Sequence, residues 1–168
     1  MNHLKVLWVE DNADDDLYNL TSPVYIDGRF QLDIAINASE AYFYLNKRVY
    51  DVVIVDIRIP PGRDPIWRKK HEILLETDDV NSNRLGLELL RCIFDNNQQQ
   101  PTLRIDQNLS SRRYGVFTVE KRDELEPFFR KFNLEDLKYR HKNAMMPHTA
   151  LLDFIEEVSE ELESRVLG

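Results

Sequence analysis

The chain alternates between two kinds of segment, and the alternation repeats five times. Short apolar runs, several of them stopping at a charged residue, are each followed by a stretch with helical period. Leu4 to Val9 (Leu-Lys-Val-Leu-Trp-Val) stops at Glu10-Asp11-Asn12. Leu32 to Ile36 is a second short run, and Asp51 to Asp56 (Asp-Val-Val-Ile-Val-Asp) is the most β-branched, read as a central strand. Tyr114 to Thr118 is a fourth, and Leu137 to Tyr139 begins a fifth that ends near Lys142. Nearly continuous apolar runs of this length read as strands buried on both faces. With helices between them they predict an α/β fold, a doubly wound parallel sheet with helices on both faces.

The intervening helices are legible to different degrees. Ala13 to Ile26 is expected to be mainly helical, broken or kinked at Pro23. Asn37-Ala38-Ser39-Glu40 has capping-box spacing and predicts a helix through about Asn46. Leu85 to Phe94 places Leu85, Leu89, Cys92 and Ile93 on one face. Glu124 to Phe132 is partly helical, limited by Pro127. Thr149 to Val166 carries the stripe Leu151, Ile155, Val158, Leu162 and Val166.

Length then becomes informative. Five strand–helix units need roughly 120 residues, which leaves about 45 of the chain unassigned. Regularity lapses in two places. After Pro60-Pro61-Gly62, the pair Asp64-Pro65 reads as an N-cap with a first-turn proline, and Ile66 to Glu76 as a short extra helix. Asn96 to Gln100 is polar, and Pro101 to Arg113 has no clear period.

Composition narrows the class. The formal charge of −8 disfavours direct nucleic-acid binding, which needs a cationic face. One cysteine excludes an intrachain disulfide framework, and no apolar run approaches a membrane span. The start leads straight into a strand rather than a signal peptide. A cytoplasmic, soluble domain without membrane attachment is the expectation. Cys92 reads as core, the four histidines show no ligand spacing, and Arg68-Lys69-Lys70-His71 reads as a solvated helix face.

In a parallel sheet of this kind, ligands bind beyond the carboxyl ends of the strands. The residues there are Glu10 and Asp11, Asp56, Thr118 and Lys142. Three clustered carboxylates repel one another and call for a cation, and all-oxygen ligation with room for water suits Mg²⁺. A carboxylate can also be a nucleophile toward phosphorus. A lysine and a hydroxyl then answer the charge and acceptor oxygens of the product.

Val6-Leu7-Trp8-Val9-Glu10-Asp11-Asn12, Tyr50 through Pro60, Gly86-Leu87-Glu88-Leu89-Leu90, Val116-Phe117-Thr118 and Tyr139-Arg140-His141-Lys142 together resemble a receiver domain of the two-component response-regulator family. The proline four residues after Asp56 and the aromatic three before Lys142 belong to the resemblance. It implies a single flavodoxin-like receiver domain over 1–168, with strand order 2-1-3-4-5 and insertions at 61–84 and 96–113. It implies that Asp56 accepts phosphate from a sensor histidine kinase or phosphotransfer protein. Glu10, Asp11, Asp56 and the backbone carbonyl of Arg58 would ligate Mg²⁺. Lys142 would bind the phosphoryl group, Thr118 would move toward it, and Tyr139 would change rotamer. Such a domain is not a dedicated enzyme. It signals by phosphorylation-dependent binding to a downstream protein, here unknown, and a homodimer through the fourth and fifth of its five helices is a family option. The chain ends soon after the last helix, so the expectation is a stand-alone or excised receiver without an output domain.

Four departures qualify this. Glu10 stands where many relatives have Asp. Val119 stands where a small residue is favoured and is expected to narrow access to Asp56. Asn143 replaces a cis proline, and a cis bond without proline costs about 2.5–4 kcal/mol, so a trans loop with a differently aimed Lys142 is expected. Pro127 disturbs the fourth helix. Arg58 and Glu120 are expected to pair across the site mouth and slow water attack. The alternative function is a degenerate receiver-like interaction module working without phosphorylation. A haloacid-dehalogenase-type phosphatase would need an Asp where Arg58 stands, and no glycine-rich phosphate loop follows the first strand. The first insertion contains Ile66, Trp67, Ile73, Leu74 and Leu75, so it is expected to lid the acidic site, dock a partner or cover the sheet edge.

Overall fold

The structure, a computed structural model, describes residues 3–13, 17–95 and 113–163, with backbone alone for 161–163. Five strands form one parallel sheet in the order β2-β1-β3-β4-β5. They are β1 (Leu4–Val9), β2 (Phe30–Ala35), β3 (Val52–Val55), β4 (Tyr114–Thr118) and β5 (Lys138–His141). Every residue of β3 and β4 is buried, as their apolar runs require. Register aligns Val9 with both Ala35 and Val55, and Val55 with Val116, so the central strands finish on one rim.

Alternation along the strands divides the core in two. Val6, Trp8, Ile54 and Phe117 face one side, where they meet α1 (Thr21–Asp27) and α6 (Ala150–Glu163) through Val24, Leu151, Phe154 and Val158. Leu7, Val9, Val53, Val55 and Val116 face the other side. There they meet α2 (Ala38–Lys47), α4 (Leu85–Phe94) and α5 (Arg122–Lys131). The additional helix α3 (Pro65–Glu76) packs on that second layer. Its Trp67 is fully buried, edge-on to Tyr42 of α2 at 6.2 Å, and its Lys70 pairs with Glu88 of α4 at 2.8 Å.

Local chemistry fixes the helix starts near the rim. Asn37 Oδ1 accepts the Glu40 N–H at 2.8 Å, and the Glu40 carboxylate accepts the Ile36 N–H at 3.0 Å. The segment after β3 docks on this helix start: Ala38 and Ser39 donate their N–H groups to the Pro60 and Pro61 carbonyls. Ser39 Oγ then accepts the Asp64 N–H at 2.9 Å, and Asp64 caps α3 through the Ile66 N–H at 2.8 Å. Gly62 allows this close seat. Its φ is +79°, and an added Cβ would lie 2.3 Å from Asn37 Oδ1.

Two helix expectations and one strand boundary need correction. The first helix begins only at Thr21, after a single 3₁₀ turn at Tyr18–Leu20. Pro23 therefore sits in a first turn, where its missing N–H has no partner to lose. Pro127 does not limit α5, which runs through it. Leu125 and Phe129 bury the inner face, while Pro127 and Asp123 are exposed, so the carbonyl that Pro127 cannot serve is left on the solvent side. The second strand begins at Phe30, two residues before the expected Leu32.

The expected apolar residues Leu162 and Val166 lie outside the described side chains, as do residues 96–112 of the second insertion. No described helix is long and apolar enough to cross a membrane.

Candidate phosphoacceptor and metal site

The rim assembles what the strand ends supply. Glu10, Asp11 and Asp56 each place a carboxylate oxygen within 4.8 Å of the others. Glu10 and Asp56 are buried, and Asp11 is exposed at the mouth. Asp56 is held by its N–H on the Val9 carbonyl at 2.9 Å. Lys142 follows β5, its N–H bonded to the Thr118 carbonyl at 2.8 Å, and its side chain turns inward. Its Nζ donates to Asp56 Oδ2 at 2.8 Å and also pairs with the Glu10 carboxylate. The Asn12 N–H donates to the other Glu10 oxygen at 3.1 Å.

One ammonium thus faces two buried carboxylates, and the electrostatics follow. Burial and then the neighbouring Asp56 charge push the Glu10 carboxyl up to about 8, against the pull of Lys142. Burial disfavours the Lys142 ammonium, but Asp56 and Glu10 outweigh it and raise its pKa. The trio keeps Lys142 charged and favours a proton on the Glu10 carboxyl. A divalent cation would replace that proton. The donor set is oxygen only, partly buried, with one ligand open to water, and it fits a hard cation such as Mg²⁺.

Thr118 ends β4 fully buried, and its Oγ1 accepts the Glu120 N–H at 3.3 Å. Arg58 enters the site through its backbone N–H, 3.4 Å from Asp56 Oδ1, while its guanidinium turns to Glu120 at 2.5 Å. The expected Arg58–Glu120 pair is therefore present. Burial alone would raise the Glu120 carboxyl, but bonds from Arg58 and Arg84 hold it below its ordinary value. Tyr139 is half-buried and donates its hydroxyl to the Glu120 carbonyl.

The departure at Asn143 has less effect than expected. No peptide bond is cis among the described residues, yet Lys142 still reaches Asp56. Val119 is 49% exposed, with its carbonyl bonded to His141 Nε2 at 3.0 Å.

Sequence reasoning missed two residues. Arg84 makes a side-on pair with Glu120, Nη2 to Oε2 at 2.9 Å and Nε to Oε1 at 3.3 Å. Nothing in its spacing points to this, since the partners are 36 residues apart. Gly86 appears in the sequence pattern without an assigned role. Its N–H bonds the Ile57 carbonyl at 2.9 Å, and an added Cβ would lie 2.1 Å from the Asp56 carbonyl oxygen. Only a glycine lets α4 start against the Asp56 loop.

No protein-family model matches the sequence, and no curated protein is similar to it in sequence. Solved structures are similar in fold. A CheY-like response regulator receiver domain protein from Methanospirillum hungatei JF-1 aligns with a TM-score of 0.60 at 17% identity, covering 98% of this chain and 99% of that one. A response regulator from Burkholderia pseudomallei with a phosphorylated aspartic acid, calcium ion and citrate aligns at 0.54 and 17% identity, covering 96% and 72%. The response regulator TrrA from Thermotoga maritima, in complex with Mg²⁺ and BeF, aligns at 0.52 and 16% identity, covering 92% and 98%. Strand order, layer arrangement and these likenesses agree: the chain has the fold of CheY-like response-regulator receiver domains.

Proposed function

We propose that the chain is a phosphoacceptor of a two-component signalling system, taking its phosphoryl group on Asp56 from a histidine kinase or phosphotransfer protein. One observation carries this reading: a buried Asp56 paired with Lys142 inside a cluster of two further carboxylates. In the transfer, an Asp56 carboxylate oxygen forms a bond to phosphorus as the phosphorus–nitrogen bond of phosphohistidine breaks, and the imidazole leaves. Bound at Glu10, Asp11 and Asp56, Mg²⁺ would offset carboxylate charge and that of the phosphoryl oxygens. Lys142 exchanges its Asp56 partner for a phosphoryl oxygen. The Thr118 hydroxyl supplies a donor, and its movement is passed to Tyr139 through the Glu120 turn. The resulting surface selects a downstream protein. The phosphorylated aspartic acid and the Mg²⁺–BeF complex of two fold neighbours support this assignment by analogy.

A second reading has one observation in its favour. Lys142 already compensates Asp56 and Glu10, so the rim is stable as an interaction module that never accepts phosphate. The two separate in one experiment. Incubation with Mg²⁺ and acetyl phosphate should add the mass of one phosphoryl group, and Asp56→Asn should abolish the addition. An unmodified wild-type protein that also shows no response to beryllofluoride would leave the second reading.

A further inference from the structure

Glu120 gathers side-chain and backbone partners from several parts of the chain outside the acidic cluster. Its carboxylate is 2% exposed, yet it lies beyond the site that accepts phosphate. It has two cationic partners of different character. Arg58, 58% exposed, contributes Nε alone, whereas Arg84, 21% exposed, grips both carboxylate oxygens and reaches Glu124 at 3.3 Å. Arg84 is the final residue of the segment that carries α3, tied by its N–H to the Asn81 carbonyl at 2.8 Å. The Glu120 backbone is committed at both ends: its N–H bonds Thr118 Oγ1, and its carbonyl receives the Tyr139 hydroxyl. A buried carboxylate needs its hydrogen-bonded cation, and the better-buried, two-point partner sets its seat.

We propose that Arg84 is a positioning residue for the conformational switch. By seating the Glu120 carboxylate, it fixes the turn that holds the Thr118 hydroxyl and the Tyr139 ring, and so ties the 61–84 segment to the site of phosphorylation. The Glu120 N–H is a contact that the Thr118 oxygen gives up if it moves toward a phosphoryl group. Loosening Arg84 lowers the cost of that move, and a protein that displaces α3 would act on the site through the same guanidinium. The regulatory meaning rests on the phosphoacceptor reading, whereas the geometry does not.

The test has an arm for each. In the unphosphorylated protein, Arg84→Ala should speed amide hydrogen exchange at Glu120 and Thr118 by about tenfold, while exchange in α6 stays unchanged. Arg84→Lys, which keeps the charge but not the two-point grip, should fall between. In a Glu120→Ala background, Arg84→Ala should add nothing. In the second arm, Arg84→Ala should bind Mg²⁺–beryllofluoride several-fold more tightly than wild type. Unchanged exchange at Glu120, or effects of the two substitutions that simply add, would overturn the proposal. A wild-type protein that takes neither phosphate nor beryllofluoride would overturn the phosphoacceptor reading and leave the exchange arm to decide the role of Arg84.

Discussion

Lys142 Nζ lies 2.8 Å from Asp56 Oδ2 in a setting where neither side chain is more than 6% exposed. The pair joins the end of β5 to the end of β3 across β4, and Glu10 completes it from β1. Removing the ammonium leaves two buried carboxylates without compensation. Lys142→Met should destabilise the Mg²⁺-free protein by about 3–5 kcal/mol at alkaline pH, and less in acid, where the carboxylates take up protons. Added Mg²⁺ should recover part of the loss. Urea denaturation with and without the ion measures both effects.

Glu10 makes stability depend on pH in a defined direction. Its pKa is about 8 in the folded chain, above the ordinary 4.5. Between those values the folded state holds a proton that the unfolded state lacks, so stability falls as pH rises. Glu120 and Asp27 shift downward, so their contribution is already complete above the ordinary carboxylate range. Lys142 shifts upward from 10.5 and loses its contribution only in stronger base. The chelator-treated protein should therefore be less stable at about pH 8 than at about pH 5.5, and Glu10→Gln should flatten that slope. A steeper slope in Glu10→Gln would assign the dependence to another group.

Mg²⁺ affinity should rise over the same interval, because the ion displaces the Glu10 proton. Isothermal titration in buffers of different ionisation enthalpy would detect the released proton. Asp11→Asn, at the exposed mouth, should weaken binding without changing proton release.

Gly86→Ala tests the close approach of α4 to the Asp56 loop. The new methyl group would press on the Asp56 carbonyl and on Ile57 Cα, at 2.1 and 2.6 Å. Relief requires backbone movement, so a loss of about 1–3 kcal/mol is expected. Phosphorylation by acetyl phosphate should slow as well, since the loop that moves carries Asp56.

Trp67→Ala should cost about 3–5 kcal/mol if α3 unfolds together with the core, and much less if it detaches alone. Hydrogen exchange decides between these. Selective loss of protection over Pro65–Glu76 would mark α3 as an independently opening unit.

Much of this architecture was legible in the sequence because apolar period follows burial closely. Tyr114–Thr118 and Leu85–Phe94 appear as expected, and β3 lies inside the expected Asp51–Asp56, each with apolar residues on the covered side. The late start of α1 was not legible, since Pro23 is compatible with either a break or a first turn. Pro127 misled because its penalty depends on whether the orphaned carbonyl meets solvent, which only the packing decides. In the site, Glu10, Asp11, Asp56 and Lys142 could be named from strand ends. Arg84 could not, because an ion pair between a loop and a distant turn leaves no periodic trace.

The acidic rim is drawn from the whole length of the chain. Lys142 stands 132 positions from Glu10 and 86 from Asp56, and it meets them through the side-by-side order β1-β3-β4-β5. No fragment that stops short of β5 can build the charge balance at this rim. An ion held by Glu10, Asp11 and Asp56 is consequently a reporter of the β1–β3 pairing, and its binding energy is added to the states in which those two strand ends meet.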